Sequence, residues 1–109
     1  MTQLTLTGIP ASPGVYSGRA FIAADSRIRE VPADCVLVLR YSSMDWLEGF
    51  IAAGAVVAEL GGRTSHAATI CRELGKPCVT GVDDATTLIA NGATVQIDGT
   101  AGRVLVHGD

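Results

Sequence analysis

Apolar positions along the chain follow two rhythms. Near the start Leu4 and Leu6 alternate with Thr5 and Thr7, and Gly8, Pro10, Pro13 and Gly14 then interrupt the run before a second extended segment over residues 15–24. Alternation with period two marks a strand with one face buried. CVLVLR, residues 35–40, and AVVAE, residues 55–59, are short unbroken apolar runs, the pattern of strands covered on both faces. Between them YSSMDWLEGFIAAG puts Met44, Leu47 and Ile51 at helical spacing, with Trp46 and Phe50 beside them as core packing. Ser42 or Ser43 is placed to cap that helix and Gly54 to end it.

The rhythm changes after residue 59. Behind Gly61 and Gly62, Ala67, Ile70, Cys71 and Leu74 fall at i, i+3, i+4 and i+7, one apolar helical face, and Gly75 followed by Pro77 stops it. The spacing predicts a helix over 65–74, entered directly from a strand through a glycine loop. PCVTGV then reads as a strand and DDATTLIANG as a short helix capped by Asp83 or Asp84. ATVQIDG and GRVLVH read as alternating strands joined across residues 99–102. Strands outnumber helices, and their mixed order predicts an α/β domain with helices packed on a central sheet. Without an internal repeat or polar linker, residues 1–109 form one domain.

Composition narrows the partners. Hydrophobic residues make up 48% of the chain but aromatic ones only 5%, so Ala, Val, Ile and Leu must build the core. A net charge of -3 argues against nucleic acid, which needs clustered Lys and Arg. With no apolar stretch of about 20 residues to span a bilayer and no basic, then apolar, leader, the expectation is a soluble cytoplasmic protein with no membrane partner. Cys35, Cys71 and Cys78 are odd in number and lack C-x-x-C spacing, which fits neither a disulfide framework nor a zinc site, so no metal is expected in this domain.

The chemistry gathers at one place. If Thr64 or Ser65 is the N-cap, His66 lies in the first turn of the 65–74 helix, beside backbone N–H groups and the positive end of the helix dipole. That setting disfavours imidazolium, keeps a nitrogen lone pair available and welcomes a negative group at the ring. A neutral ring there suits nucleophilic attack on phosphorus. Gly61 and Gly62 would let backbone approach phosphate oxygens, Thr64 and Ser65 add hydroxyl donors, and Arg63 adds a charged one. The spacing alone fits a polar first-turn histidine equally well. A serine hydrolase is disfavoured because G-x-S-x-G is absent and the only other histidine, His107, stands near the end. A dinucleotide site is disfavoured because the glycines lack the G-x-G-x-x-G order.

GGRTSHAATICRELGKPCVTG, residues 61–81, closely resembles the signature of the swivelling phosphohistidine, or mobile, domain of phosphoenolpyruvate-utilizing enzymes. These are phosphoenolpyruvate synthase, pyruvate phosphate dikinase and enzyme I of the sugar phosphotransferase system. GIPASPGVYSGRA, residues 8–20, is similar to the family's opening segment, and Asp98-Gly99 with Gly102-Arg103-Val104 resembles its closing hairpin. The resemblance implies a compact β/β/α domain in which His66 takes a phosphoryl group and relays it between distant sites on nucleotide-binding and phosphoenolpyruvate- or pyruvate-binding domains, carried by partners or by further parts of the chain. It implies magnesium at those partner sites and no cofactor on this domain. It aligns Thr64 with a regulatory phosphorylation site. Leu60 departs from the polar residue that often precedes the glycines, and Cys71 from a commoner alanine. Arg72 and Glu73 read as a solvated or structural pair. The alternatives to a phosphoryl carrier are a non-catalytic interaction or regulatory module that keeps the swivelling fold and, more remotely, a self-contained hydrolase.

Overall fold

A computed structural model describes residues 3–23, 31–41 and 47–107. The apolar runs become strands as their patterns require. They are β1 (Gln3–Thr7), β2 (Ile9–Ser12), β3 (Val15–Ala23), β4 (Val36–Leu39), β5 (Ala55–Ala58), β6 (Cys78–Thr80), β7 (Thr94–Asp98) and β8 (Arg103–His107). Among the described residues three helices connect them: α1 (Leu47–Ala52), α2 (His66–Leu74) and α3 (Ala85–Leu88). The expected caps Ser42 and Ser43, with Met44 and Trp46, lie outside the described residues, as does Ala24.

The strands form one sheet in the order β1-β8-β7-β3-β4-β5-β6-β2. β3 is its hinge. Residues 15–19 pair antiparallel with β7, and residues 20–23 pair parallel with β4. From β3 to β6 the sheet is parallel, so its connections must cross over the sheet, and α1 and α2 do so between β4, β5 and β6. Every residue of β4, β5 and β6 is buried, which explains their unbroken apolar sequences. β7 and β8 alternate instead, Val95, Ile97, Val104 and Val106 facing inward.

Two core clusters lie on opposite faces of the parallel strands. Leu37, Leu39, Val56, Ala58 and Cys78 pack with Phe50 of α1 and Ala67, Ala68 and Cys71 of α2. Val36, Val38, Val57 and Val79 pack with α3 and with the inner face of β7 and β8. The one sheet thus supplies two layers, an antiparallel limb and a parallel limb joined at β3, with α1 and α2 covering the parallel limb's other face. The small side chains of the helices let backbone approach sheet closely, the use to which an aromatic-poor composition is put. No helix among the described residues is long and apolar enough to cross a membrane.

Candidate functional site

The parallel strands end together on one side, and open α/β sheets bind ligands in the crevice beyond their carboxyl ends. β4 runs into Arg40 and Tyr41, and β5 into Glu59 and Leu60. Leu60 N–H donates to the Arg40 carbonyl at 2.8 Å and Glu59 N–H to that of Leu39 at 3.0 Å, so the two strand ends stay together past their last ladder residues. Glu59 also reaches sideways. Its carboxylate accepts the Thr86 backbone N–H at 2.7 Å and the Thr86 hydroxyl. The loop that follows is therefore pinned on both flanks.

Gly61 turns the chain at φ +117, a conformation that side chains other than glycine rarely adopt, and a Cβ there would lie 2.9 Å from Ser65 Cβ and 3.0 Å from its Oγ. Gly62 carries no such constraint: nothing lies within 4 Å of where its Cβ would be. Ser65 is the N-cap of α2. Its Oγ accepts the Ala68 N–H at 3.3 Å and donates to the Gly62 carbonyl at 2.8 Å, tying helix to loop. At the other end Gly75 takes the left-handed conformation at φ 70, and Lys76 N–H returns to the Cys71 carbonyl at 2.9 Å. The predicted helix over 65–74 is thus realised as a Ser65 cap and a helix from His66 to Leu74.

His66 occupies the first helical position, where the backbone N–H groups of the opening turn point out of the helix end. Its ring lies 6.2 Å from the Phe50 ring, centroid to centroid, at a tilt of 43°. An open cleft of about 200 Å³ is walled by Tyr41, Leu60, Gly61, Ser65, His66 and Ala67. Of these, Tyr41 and Leu60 are exposed, at 62% and 54% of their surface.

Several expectations meet the geometry differently. His66 is half-buried against Phe50, because α1 covers one side of the helix start. Ser65 alone of the two proposed residues caps α2; Thr64 is exposed, one residue too early for its hydroxyl to reach the first turn. Gly62, Arg63 and Thr64 stand outside the cleft wall, while Gly61 and Ser65 are part of it. Asp83 is exposed and Asp84, though at the N-cap of α3, adopts φ +59 and makes no side-chain cap. Glu59 does that work from a neighbouring strand end, a long-range role that spacing within the helix does not reveal. Arg72 is structural: its guanidinium donates to the Ala11 carbonyl at 2.8 Å, fastening α2 to β2.

Phe50, Tyr41 and Glu59 join the site through the fold alone. Phe50 was legible as a core residue, which it is, with no exposed surface, and its contact with His66 is an added role. All three cysteines are free and buried. A hydrogen bond with Cys71, together with burial, pushes the Cys78 thiol well up, and burial raises Cys35, so both stay protonated near neutrality. Among the described residues no three His, Cys, Asp or Glu side chains gather as a metal site would require.

Known proteins carry the same pattern. Residues 31–102 match the family described as PEP-utilising enzyme, mobile domain. Over 103 residues the chain is 42% identical to phosphoenolpyruvate synthase of Pyrococcus furiosus, covering 94% of this chain and 13% of that protein. It is 36% identical over 99 residues to rifampicin phosphotransferase of Streptomyces sviceus, covering 91% of this chain and 11% of the relative. Among solved structures, Enzyme I aligns with a TM-score of 0.64 at 27% identity, over 76% of this chain and 34% of that one. The chain therefore spans about an eighth of the length of these curated relatives. A strand-loop-helix site at the carboxyl ends of a parallel sheet, in a β/β/α fold shared with Enzyme I, and a family match over most of the chain lead to one conclusion: the chain belongs to the mobile-domain family of phosphoenolpyruvate-utilising enzymes.

Proposed function

We propose that this domain is a phosphoryl carrier and that His66 is the residue that is phosphorylated. The observation that supports it most is the placement of His66 at the first position of a well-capped helix, in the wall of a cleft beyond the parallel strand ends. A neutral ring nitrogen donates its lone pair to phosphorus, forming an N–P bond. The bond from phosphorus to the donor's leaving group breaks, and its electron pair departs with that group. The N–H groups and dipole at the start of α2 lie where the new negative charge develops, and the loop held by Gly61 and Ser65 keeps them there. Arg63 and Thr64, exposed beside the cleft, are positioned to meet a partner, and Thr64 is accessible to a modifying enzyme.

The donor and acceptor belong to other domains, nucleotide-binding and phosphoenolpyruvate- or pyruvate-binding, in trans or elsewhere on a longer chain. Magnesium belongs with them, since the described residues that wall this cleft include no carboxylate. Incubation with phosphoramidate, a small phosphoryl donor that needs no partner, tests the acceptor. One phosphoryl group per chain is expected, labile in acid and stable in base, absent from His66→Ala and present in His107→Ala. An acid-stable adduct, or one that survives in His66→Ala, would refute the proposal. A phosphate that binds reversibly without forming any adduct would favour the interaction-module reading instead.

A further inference from the structure

A histidine ring held only by its own torsions presents either edge, because the outer side-chain torsion is broad and roughly two-fold. Here the ring has a fixed neighbour. Phe50 has no exposed surface, sits among Leu37, Val56, Ala67 and Cys71 in the helical-side core, and lies 6.2 Å from the His66 ring at 43°, within the range where tilted aromatic rings attract.

The helix that carries Phe50 is itself held from the helix that carries His66. The described turns of α1, Leu47–Ala52, are held in place by contacts from outside the helix. Lys76, the residue just past the Gly75 end of α2, donates from Nζ to the Ile51 carbonyl at 2.5 Å and to the Ala53 carbonyl. A cation on those last carbonyls satisfies acceptors that α1 cannot satisfy and complements its dipole. The Ala52 carbonyl accepts Asp34 N–H at 2.8 Å, and Gly54 N–H donates to Cys35 at 2.8 Å, so the end of α1 is fixed to β4 as well. The first turn of α2 thus meets α1 at Phe50, and the chain just past its end meets α1 through Lys76.

From this arrangement we infer that Phe50 is a positioning residue for His66: it fixes the imidazole plane so that one ring nitrogen faces the cleft and takes the phosphoryl group, and Lys76 maintains it by locking α1. The inference rests on the carrier function proposed above. It assigns Phe50 no contact with the phosphoryl group.

The experiment phosphorylates the whole chain with phosphoramidate, in which attack by a ring nitrogen breaks the reagent's P–N bond and releases ammonia. The two phosphohistidine isomers are then resolved by ³¹P NMR. With His107 replaced by Ala in every chain, so that His66 is the sole histidine, the chain with Phe50 intact should give one isomer. Phe50→Leu should give both and react several-fold more slowly, and Lys76→Met should shift the same way to a smaller extent. Phe21→Leu, on β3 against the same core cluster, controls for lost stability and should keep a single isomer. If Phe50→Leu does not fold, Phe50→Met, apolar and flexible enough to fill an irregular gap, carries the same expectation. A single isomer at an unchanged rate in the Phe50 variant overturns the inference while leaving the carrier function standing. No phosphohistidine in the chain with Phe50 intact overturns the carrier function, and the inference with it.

Discussion

Adjacent glycines at the start of the loop should respond oppositely to the same added methyl group. At Gly61 an alanine must hold φ near +117, outside the ordinary left-handed well, and its Cβ must displace Ser65 from 2.9 Å. The backbone strain costs on the order of 1–3 kcal/mol, and disturbing the Ser65 cap adds about 1 kcal/mol. Together these make about 2–4 kcal/mol for Gly61→Ala, which for a domain of this size lowers the melting temperature by roughly 10–20 °C. At Gly62 the Cβ enters open space and φ is not positive, so Gly62→Ala should leave stability unchanged or raise it by about 0.4–1 kcal/mol through the unfolded chain. Gly62→Ala is then a folded protein with a bulkier loop beside the cleft. If loop backbone approaches the transferred phosphoryl group, its phosphorylation by phosphoramidate should slow several-fold with no loss of structure. Thermal and urea unfolding followed by circular dichroism supply the stabilities. Equal melting temperatures for the two variants would refute the steric reasoning, and an unimpaired rate in Gly62→Ala would remove the loop backbone from the chemistry.

Other expectations follow from contacts at the site. Ser65→Ala loses the cap and the bond to the Gly62 carbonyl and should cost about 1–2 kcal/mol in urea unfolding, whereas Thr64→Ala, exposed and outside the cap, should stay within about 0.5 kcal/mol. Glu59→Ala strands the Thr86 N–H and should cost about 1–2 kcal/mol, half-burial reducing the usual value for a charged acceptor; a double-mutant cycle with Thr86→Val should recover only the hydroxyl's share as coupling, because the backbone N–H remains in that variant. Alkali should destabilise the fold. The folded thiols of Cys78 and Cys35 titrate above their unfolded values, so nothing is lost below the unfolded thiol range; as pH rises above about 8.5, the unfolded chain ionises first and each thiol withdraws up to about 1.4 kcal/mol per pH unit. Cys78→Ala should flatten that alkaline slope, measured as unfolding free energy against pH.

Sequence patterns reached the site closely because its local rules are strong. A strand covered on both faces leaves no polar alternation, and CVLVLR and AVVAE show none, so β4 and β5 were plain. The cap, apolar face and Gly75 stop of α2 act within a few residues of one another, and its bounds follow from them. What spacing could not supply acts across the fold. The hinge in β3, where one strand changes partner from β7 to β4, leaves no trace in VYSGRAFIA. Nor does the Glu59 carboxylate beneath α3, since its partner Thr86 lies 27 residues away. Phe50 shows the same limit from the other side: helical spacing placed it correctly in the core, and only tertiary packing brings that core residue to the His66 ring.

The chain contains two histidines, His66 and His107, which makes the central claim open to a direct measurement. Histidine labelled with ¹⁵N in its ring is incorporated, the protein is phosphorylated, and the ³¹P spectrum is recorded in base. The account predicts a phosphorus resonance split by coupling to one ring nitrogen, present in His107→Ala and absent in His66→Ala. A phosphorus resonance without nitrogen coupling, or a coupled one that persists in His66→Ala, would contradict it.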